Sequence, residues 1–377
     1  SETFASRIGL LSFDTEYDVL GLRLEVTAAP NFAAVAESSN LRSIAAHIDA
    51  INADGTGDPE LQTEITALFG NTGNLNDVFE AFSPEAYDTQ TTLIVDGHRR
   101  IANVLIDRPR DCTPGELDPW QASNQPITCN AKRFSLWLAP FGSFRDRDAF
   151  AGHPEYDSKI GGLVLGIDTR PIGDLELTFA ISSQRGQITV DSRGQSDLVL
   201  ADLSAHASWA RAGFRLQSVL TGGFGSHNSR RRFRFQSNDT TAQISRQAED
   251  DHTSQHVSVA GEAGYLVEVG AIDIEPLVGF NYAWVNQGSV RESGAGSFGV
   301  RVDSREDDIA SVNGGFRLST VYQHEKFIGN ALLWMDGVWR ANLDVRWRQT
   351  LTGYDRELTA RLIGSPDTVS SFTIEGK

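Results

Sequence analysis

The sequence has no run of about 18 apolar residues, so no helix in it is apolar enough to cross a bilayer. Strands remain as a way across, because alternating residues cancel in a hydropathy window. Cysteine is nearly missing. Cys112 and Cys129 stand alone in a stretch rich in Pro, Asp, Asn and Ser, with no C-x-x-C and no nearby histidine pair. That argues against zinc and for a disulfide closing a loop in an oxidising compartment, two unpaired thiols being the alternative. Bases are scarce: 33 Lys and Arg face 50 Asp and Glu, a formal net charge of −17, which argues against nucleic acid as a main partner. No signal peptide is visible at Ser1, so a mature chain or a fragment is expected. No G-x-S-x-G or H-E-x-x-H occurs, and neither an enzyme nor a cofactor is expected. One methionine among 35 glycines and 12 prolines suits a chain of strands and turns.

The stretch 338–348 shows what is present. Trp339, Ala341, Leu343, Val345 and Trp347 fall on one face, and Arg340, Asn342, Asp344, Arg346 and Arg348 on the other. An unbroken period of two is a strand with one apolar and one polar face. The two tryptophans stand about 26 Å apart along it at ~3.3 Å per residue. That suits a tilted membrane-barrel strand with aromatic residues at both interfaces. A half-buried strand of a soluble sandwich has the same pattern, so one strand does not decide.

Taken in order, the chain opens with short strands over 7–32, including an alternation from Leu20 to Val26. The period then becomes helical. Asn40 can cap a helix with Leu41, Ile44, Ile48 and Ile51 on one face. Asp58-Pro59 opens a second, with Leu61, Ile65 and Leu68, and 74–82 forms a short third. Ser83-Pro84 opens a fourth helix running to about Arg108, roughly 37 Å long. Its apolar stripe, Tyr87, Ile94, Ile101 and Leu105, is thin among Asp, Gln, Thr, His and Arg. Such a helix is too polar for lipid and too narrow-striped for a large core, and a polar channel would suit it.

From Arg133 the pattern is strand to the end: 133–144, 156–169, 174–184, 197–210, 213–226, 254–269, 272–285, 307–322 and 331–348, with a tenth beginning at Ser371. Connections after the even strands are short: Arg170 to Gly173, Arg211-Ala212, Gly270-Ala271 and Gln323 to Asn330. Those after the odd strands are long and polar, the longest lying between Ser226 and Ser254. Short turns at one end and long loops at the other describe an up-and-down outer-membrane barrel, whereas Greek-key sandwiches have no reason to alternate. Pro276 inside a strand predicts a bulge or a strand start nearby.

Several motifs in this order resemble the C-terminal translocator of bacterial autotransporters, the type V secretion proteins. Ala81-Phe82-Ser83-Pro84-Glu85-Ala86-Tyr87 is similar to the segment ahead of that family's pore helix. Trp137 sits in a similar first strand, and Gly162 to Asp168 resembles the second-strand Gly-x-Asp motif. Glu275-Pro276, Glu292 to Gly296 and Ser371 to Gly376 resemble later signatures. The resemblance spans about residues 10–377. It implies an all-β transmembrane barrel, antiparallel and up-and-down, with 12 strands expected and about 9 complete here, preceded by an α-helical segment that includes a pore helix. It implies three divisions: passenger end over 1–36, helical linker over 37–132 with the pore helix at about 83–108, and barrel over 133–377. The family's last strands and terminal aromatic are not found before Lys377, so a truncated barrel is expected. No Asn-Asn cleavage pair stands out in the helix, which puts passenger release in doubt.

The function expected is that of an outer-membrane translocator or anchor that displays its N-terminal passenger at the cell surface. The implied partners are outer-membrane lipid and lipopolysaccharide, the barrel-assembly machinery and the chain's own passenger. The alternative is a porin-like or structural barrel plugged by its helices. Lipid-facing girdle positions are Trp339 and Trp347, and pore-lining positions are Arg340, Asp344, Arg346 and Arg348, against which the helix is expected to lie. Other motifs carry less. Gly294-x-Gly296-x-x-Gly299 has no helix after it. His252 and His256 share a metal-ligand spacing without a third ligand in sequence, so no metal is expected. Arg230, Arg231, Arg232 and Arg234 with Phe233 and Phe235 read as a rim facing lipopolysaccharide phosphates or as a solvated loop, in preference to a nucleic-acid grip, given the acidic whole.

Overall fold

Ser38 ends an extended segment, and its hydroxyl accepts the Leu41 N–H at 3.2 Å. This cap fixes the start of α1 (Ser39–Asp54), two residues ahead of the predicted Asn40 cap. Gly55, at φ 69°, closes the helix from the left-handed region. The computed structural model describes residues 5–8, 10–18, 21–28, 31–68, 74–107, 134–149, 155–172, 174–190, 194–236, 243–270, 272–323, 338–353 and 355–376.

The chain begins with a three-stranded meander, β1 (Ala5–Ile8), β2 (Leu11–Asp18) and β3 (Gly21–Ala28). After α1 come α2 (Pro59–Leu68), α3 (Leu75–Ala81) and α4 (Glu85–Asp107). Then follow β4 (Phe134–Arg147), β5 (Tyr156–Ile172), β6 (Leu175–Val190), β7 (Gly194–Arg211), β8 (Phe214–Gln236) and β9 (Gln243–Tyr265). The series continues with β10 (Val267–Val269), β11 (Ile272–Gln287), β12 (Val290–Arg291), β13 (Val300–Val302) and β14 (Arg305–Gln323). It ends with β15 (Val338–Thr350), β16 (Arg356–Leu362) and β17 (Phe372–Gly376).

The large sheet is antiparallel and runs in chain order from β4 to β15, with the short β10 beside β11. The turn between β7 and β8 is two residues, Ala212 at φ 50° and Gly213 at φ 85°. Both central residues have positive φ, the turn that matches strand twist in a tight hairpin. The long loop predicted between Ser226 and Ser254 is mostly strand instead. β8 and β9 continue as a paired hairpin arm out to Gln236↔Gln243. No bulge forms at Pro276. Its register with β14 is unshifted, and the ladder on its other side pauses between Gly264↔Leu277 and Val267↔Ile274. Proline lacks the N–H that a ladder on that side would use.

The sheet is curled. α4 packs against β4, β5, β6, β7, β8, β9 and β11, seven consecutive strands. Laid flat at ~4.8 Å per strand they would spread over about 29 Å, whereas a helix with its side chains is about 10–12 Å across. One helix touches all seven only if the sheet wraps round it. Among the described residues β4 and β15 each pair on one side only, so the observed object is a half-barrel.

Its two faces are inverted relative to a water-soluble protein. The outer face exposes Leu136, Leu163, Phe179, Ile181, Leu203, Leu220, Phe224, Val278 and Phe280. The concave face buries Gln184, Asp202, His206, Gln217, Thr221, His256, Glu262 and Asp307. Apolar side chains turned out over this breadth require an apolar surrounding.

β17 corrects the predicted tenth barrel strand at Ser371, and β16 is a strand not expected from the sequence. They leave the large sheet and join β12 and β13 in a second sheet, ordered β12-β13-β16-β17. That sheet packs with α1, α2 and α3 into one apolar core around Phe32, Ile44, Ile48, Phe79, Phe82 and Phe298. This cap sits at the end carrying the long connections, since β12 and β13 lie between β11 and β14 and β16 follows β15. α4 leaves the cap and enters the concave face, so the four helices do not form one separate bundle.

Candidate functional site

The site is the concave face and the helix it holds. α4 is 23 residues, roughly 35 Å at 1.5 Å per residue. Its predicted stripe is fully used: Tyr87, Ile94, Ile101 and Leu105 are all buried. Ile94 packs with Ile160, Ile188, Leu198 and Val285, while Ile101 and Leu105 pack with Trp137, Val164, Val219 and Ala260. Polar residues hold the rest of the helix at three levels.

At the cap end, the loop before α4 and its first turns meet a buried set of charges. Arg231 donates Nε–H to Glu292 Oε1 at 2.9 Å and Nη2–H to Oε2 at 2.6 Å, and its other Nη reaches the Ala81 carbonyl. The Tyr87 hydroxyl donates to Glu292 Oε1 at 3.0 Å. Asp88 accepts two hydrogen bonds from Arg356, both at 2.8 Å, and a third from Arg305 at 3.2 Å. Thr91 donates to Asp307 at 2.7 Å. The Arg231–Glu292 and Arg356–Asp88 pairs are bidentate and almost solvent-free, the geometry in which a charge pair offsets its desolvation.

One residue before Thr91, Gln90 donates to Ser196 and Ser229, both at 2.9 Å; midway, Arg145 of β4 meets Asp96 at 2.5 Å. At the far end, Asp107 takes Arg317 at 2.5 Å and Arg346 at 3.5 Å. Arg215 and Arg317 share Glu275, and Arg346 reaches Glu262 at 2.7 Å and Asp344 at 2.7 Å. Arg317 of β14 and Arg346 of β15 thus tie the last residue of the helix to a charge network that spans β8, β9, β11, β14 and β15.

The second-strand motif acquires a mechanical reading. A Cβ on Gly166 would stand 2.2 Å from the Trp137 ring, so the indole lies on bare backbone there. Its Nε1–H then donates to Asp168 at 2.9 Å. Trp137 therefore faces inward, unlike its neighbours Leu136 and Leu138, which are exposed.

Of the predicted pore-lining residues, Arg346 and Asp344 enter the charged network and Arg348 is exposed. The side chains of Arg340 and Trp339 lie outside the described residues. Trp347 is 63 % exposed on the outer face, beside Leu343 and Val345. α4 does not lie along β15 as expected. It lies mainly along β5 to β8, and Asp107 ties it to Arg346 of β15, with Asp96, Arg99 and Arg100 near enough to Arg348 to interact electrostatically. Cys112 and Cys129 lie outside the described residues, and no described contact supports their disulfide. Arg231, read as a rim residue, is buried under the cap, while Arg230 and Arg232 stay exposed.

His252 and His256 are not a pair. Four residues along a strand separate them by about 13 Å. His252 stacks on His227 with ring centres 4.5 Å apart and contacts Asp250 at 2.7 Å, whereas His256 faces Asp202 and His98. Sequence reasoning missed Asp202, His98, Arg305 and Arg356, each a single polar residue on a face whose partners come from distant strands. In the cap, His47 Nδ1 lies 2.9 Å from the Ser370 carbonyl, and Nε2 takes the Leu362 N–H at 3.4 Å. Burial pushes its pKa down to about 4.

Among solved structures, the chain is similar to the translocator domain of autotransporter NalP from Neisseria meningitidis. That match has 12 % identity and a TM-score of 0.41, over 64 % of this chain and 85 % of that one. It is also similar to the beta domain of the Bordetella autotransporter BrkA, with 16 % identity and a TM-score of 0.41, over 61 % and 85 %. No curated protein sequence matches it. The family model for the autotransporter beta-domain matches residues 136–377, well over half of the chain. With its outward apolar strands and polar concave face, the chain belongs to the autotransporter beta-domain family of outer-membrane β-barrel translocators.

Proposed function

We propose that this chain exports and anchors its own N-terminal passenger, with α4 as the pore helix joining passenger to barrel. The observation that carries the reading is the course of α4. It starts under the cap at the long-connection end and finishes against Arg317 and Arg346 at the short-turn end. In an up-and-down outer-membrane barrel the long connections face outward and the short turns face the periplasm. Everything before Glu85, including β1 to β3 as the end of a passenger, then emerges at the cell surface. The charged rim residues Arg230 and Arg232 suit lipopolysaccharide phosphates, and the barrel-assembly machinery is the expected insertion partner. The chain acts in this reading as a transport and anchor module with no chemistry of its own.

An epitope placed ahead of Ala5 tests it in intact cells. Antibody should bind without permeabilisation, and surface protease should remove the epitope while leaving the barrel. An epitope reached only after the outer membrane is opened overturns the reading. An intact chain that conducts as an open pore would instead favour a porin.

A further inference from the structure

Near the middle of α4, His98 faces two wall residues, Asp202 of β7 and His256 of β9. All three are at most 4 % exposed. Asp202 Oδ1 lies 2.7 Å from His256 Nε2 and 3.5 Å from His98 Nε2. One nitrogen or oxygen donor from each of the three falls within 4.8 Å of the others. A tetrahedral zinc-class cation with ligands at about 2.0–2.2 Å holds donor atoms roughly 3.3–3.6 Å apart, which the Asp202–His98 distance meets as it stands and the hydrogen-bonded Asp202–His256 pair reaches by opening about 0.6–0.9 Å.

The surroundings are built for such a centre. Asp202 Oδ2 accepts from Ser182 Oγ at 3.0 Å and from Gln184 Nε2 at 2.8 Å, which leaves Oδ1 aimed at both imidazoles. Outer hydrogen bonds of this kind orient a ligand carboxylate. Gln184 Oε1 is buried without a hydrogen-bond partner, and it lies 2.6 Å from where a Cβ on Gly97 would stand, beside His98. It is a further oxygen donor next to the cluster. Gly223 faces the same point: a Cβ there would stand 2.6 Å from Asp202 Oδ1 and 2.8 Å from His256 Nε2. Glycine keeps that space open. At 3.5 Å, His98 Nε2 has no full hydrogen bond in this arrangement, and a cation would satisfy it.

We propose that His98, Asp202 and His256 bind one divalent transition cation of the zinc class, fastening the pore helix to the barrel wall. Two imidazoles and a carboxylate favour zinc, cobalt or nickel over calcium or magnesium. One ligand comes from the helix and two from the wall, so the helix cannot leave without breaking a metal–ligand bond. The proposal does not depend on what the N-terminal segment carries.

The test uses the whole chain folded in detergent and stripped with chelator, titrated with Zn²⁺ by calorimetry and with Co²⁺ by visible absorption. One site per chain is expected, with the intense absorption of low-coordinate cobalt and a raised melting temperature. His98→Ala and Asp202→Asn should each weaken Zn²⁺ binding at least tenfold, and His227→Ala should not. Gly223→Ala should do the same with every ligand still present. Heat-shifted gel mobility without metal reports whether each variant is folded. His98→Ala leaves the wall intact and decides the matter if Gly223→Ala does not fold. No saturable Zn²⁺ binding, or binding kept by the folded variant carrying both His98→Ala and His256→Ala, overturns the proposal.

Discussion

The cap and the curled sheet solve opposite problems with the same residue types. The cap buries Phe32, Ile48, Phe79 and Phe298 and leaves Glu37, Arg42 and Asp54 exposed or half-exposed. The sheet turns Phe179, Leu203 and Phe224 outward and buries Gln184, Asp202 and His256. In water, removing apolar surface drives folding. Against lipid that drive vanishes for the outer face, and the inner face must satisfy polar groups one by one. The difference shows two surroundings for one chain, with α4 crossing from one regime into the other.

Three substitutions or conditions sharpen this contrast. The largest effect is expected in the cap. Phe79→Ala removes a fully buried ring packed edge-on against Phe32, and should cost the cap about 3–5 kcal/mol in chemical unfolding. A loss below about 1 kcal/mol would mean that the cap core is not the cohesive unit described.

Next comes the outer face. Phe179 lies five residues from the turn before β6, about 16 Å along the strand and roughly 12 Å along the membrane normal at a tilt near 40°. That is the middle of a ~25 Å band, where Phe179→Arg should cost about 2–4 kcal/mol when unfolding is followed in bilayers. A neutral result would place this face in water.

The smallest effect is a pH dependence confined to the cap. The pKa of His47 is lowered from 6.5 to about 4, so the folded cap holds it neutral while the unfolded chain protonates it first. Its stabilisation is complete above pH 6.5 and is lost as pH falls towards 4, at most about 3 kcal/mol over that window. His47→Gln should flatten the slope in pH-dependent unfolding of the cap. An unchanged slope would assign it to other groups.

Much of this was legible in the residues. β7 and β8 alternate cleanly, and the short connection expected at Arg211-Ala212 is a tight turn one residue further on, at Ala212-Gly213. The thin stripe of α4 marked it as a helix for a polar surrounding, and every stripe residue is buried. The partners of its polar residues were not legible. Asp88 meets Arg356 across 268 positions, and Asp107 meets Arg317 across 210. Periodicity tells which residues share a face and gives no information on which face is opposite.

β16 shows the limit most clearly. Arg356, Leu358, Ala360 and Leu362 alternate inward as regularly as any barrel strand, yet no strand is expected there from the sequence, only a barrel strand from Ser371. Which sheet it joined was decided in three dimensions, where α1 and β13 offered an apolar surface that would otherwise face water. Length was the available signal: seven residues in β16 and five in β17 fall short of the 9–11 that a tilted spanning strand requires. Local alternation and helix stripes are properties of neighbouring residues, and so they belong to the sequence. The pairing of Asp88 with Arg356, and of His98 with Asp202 and His256, exists only once the sheet has curled around the helix.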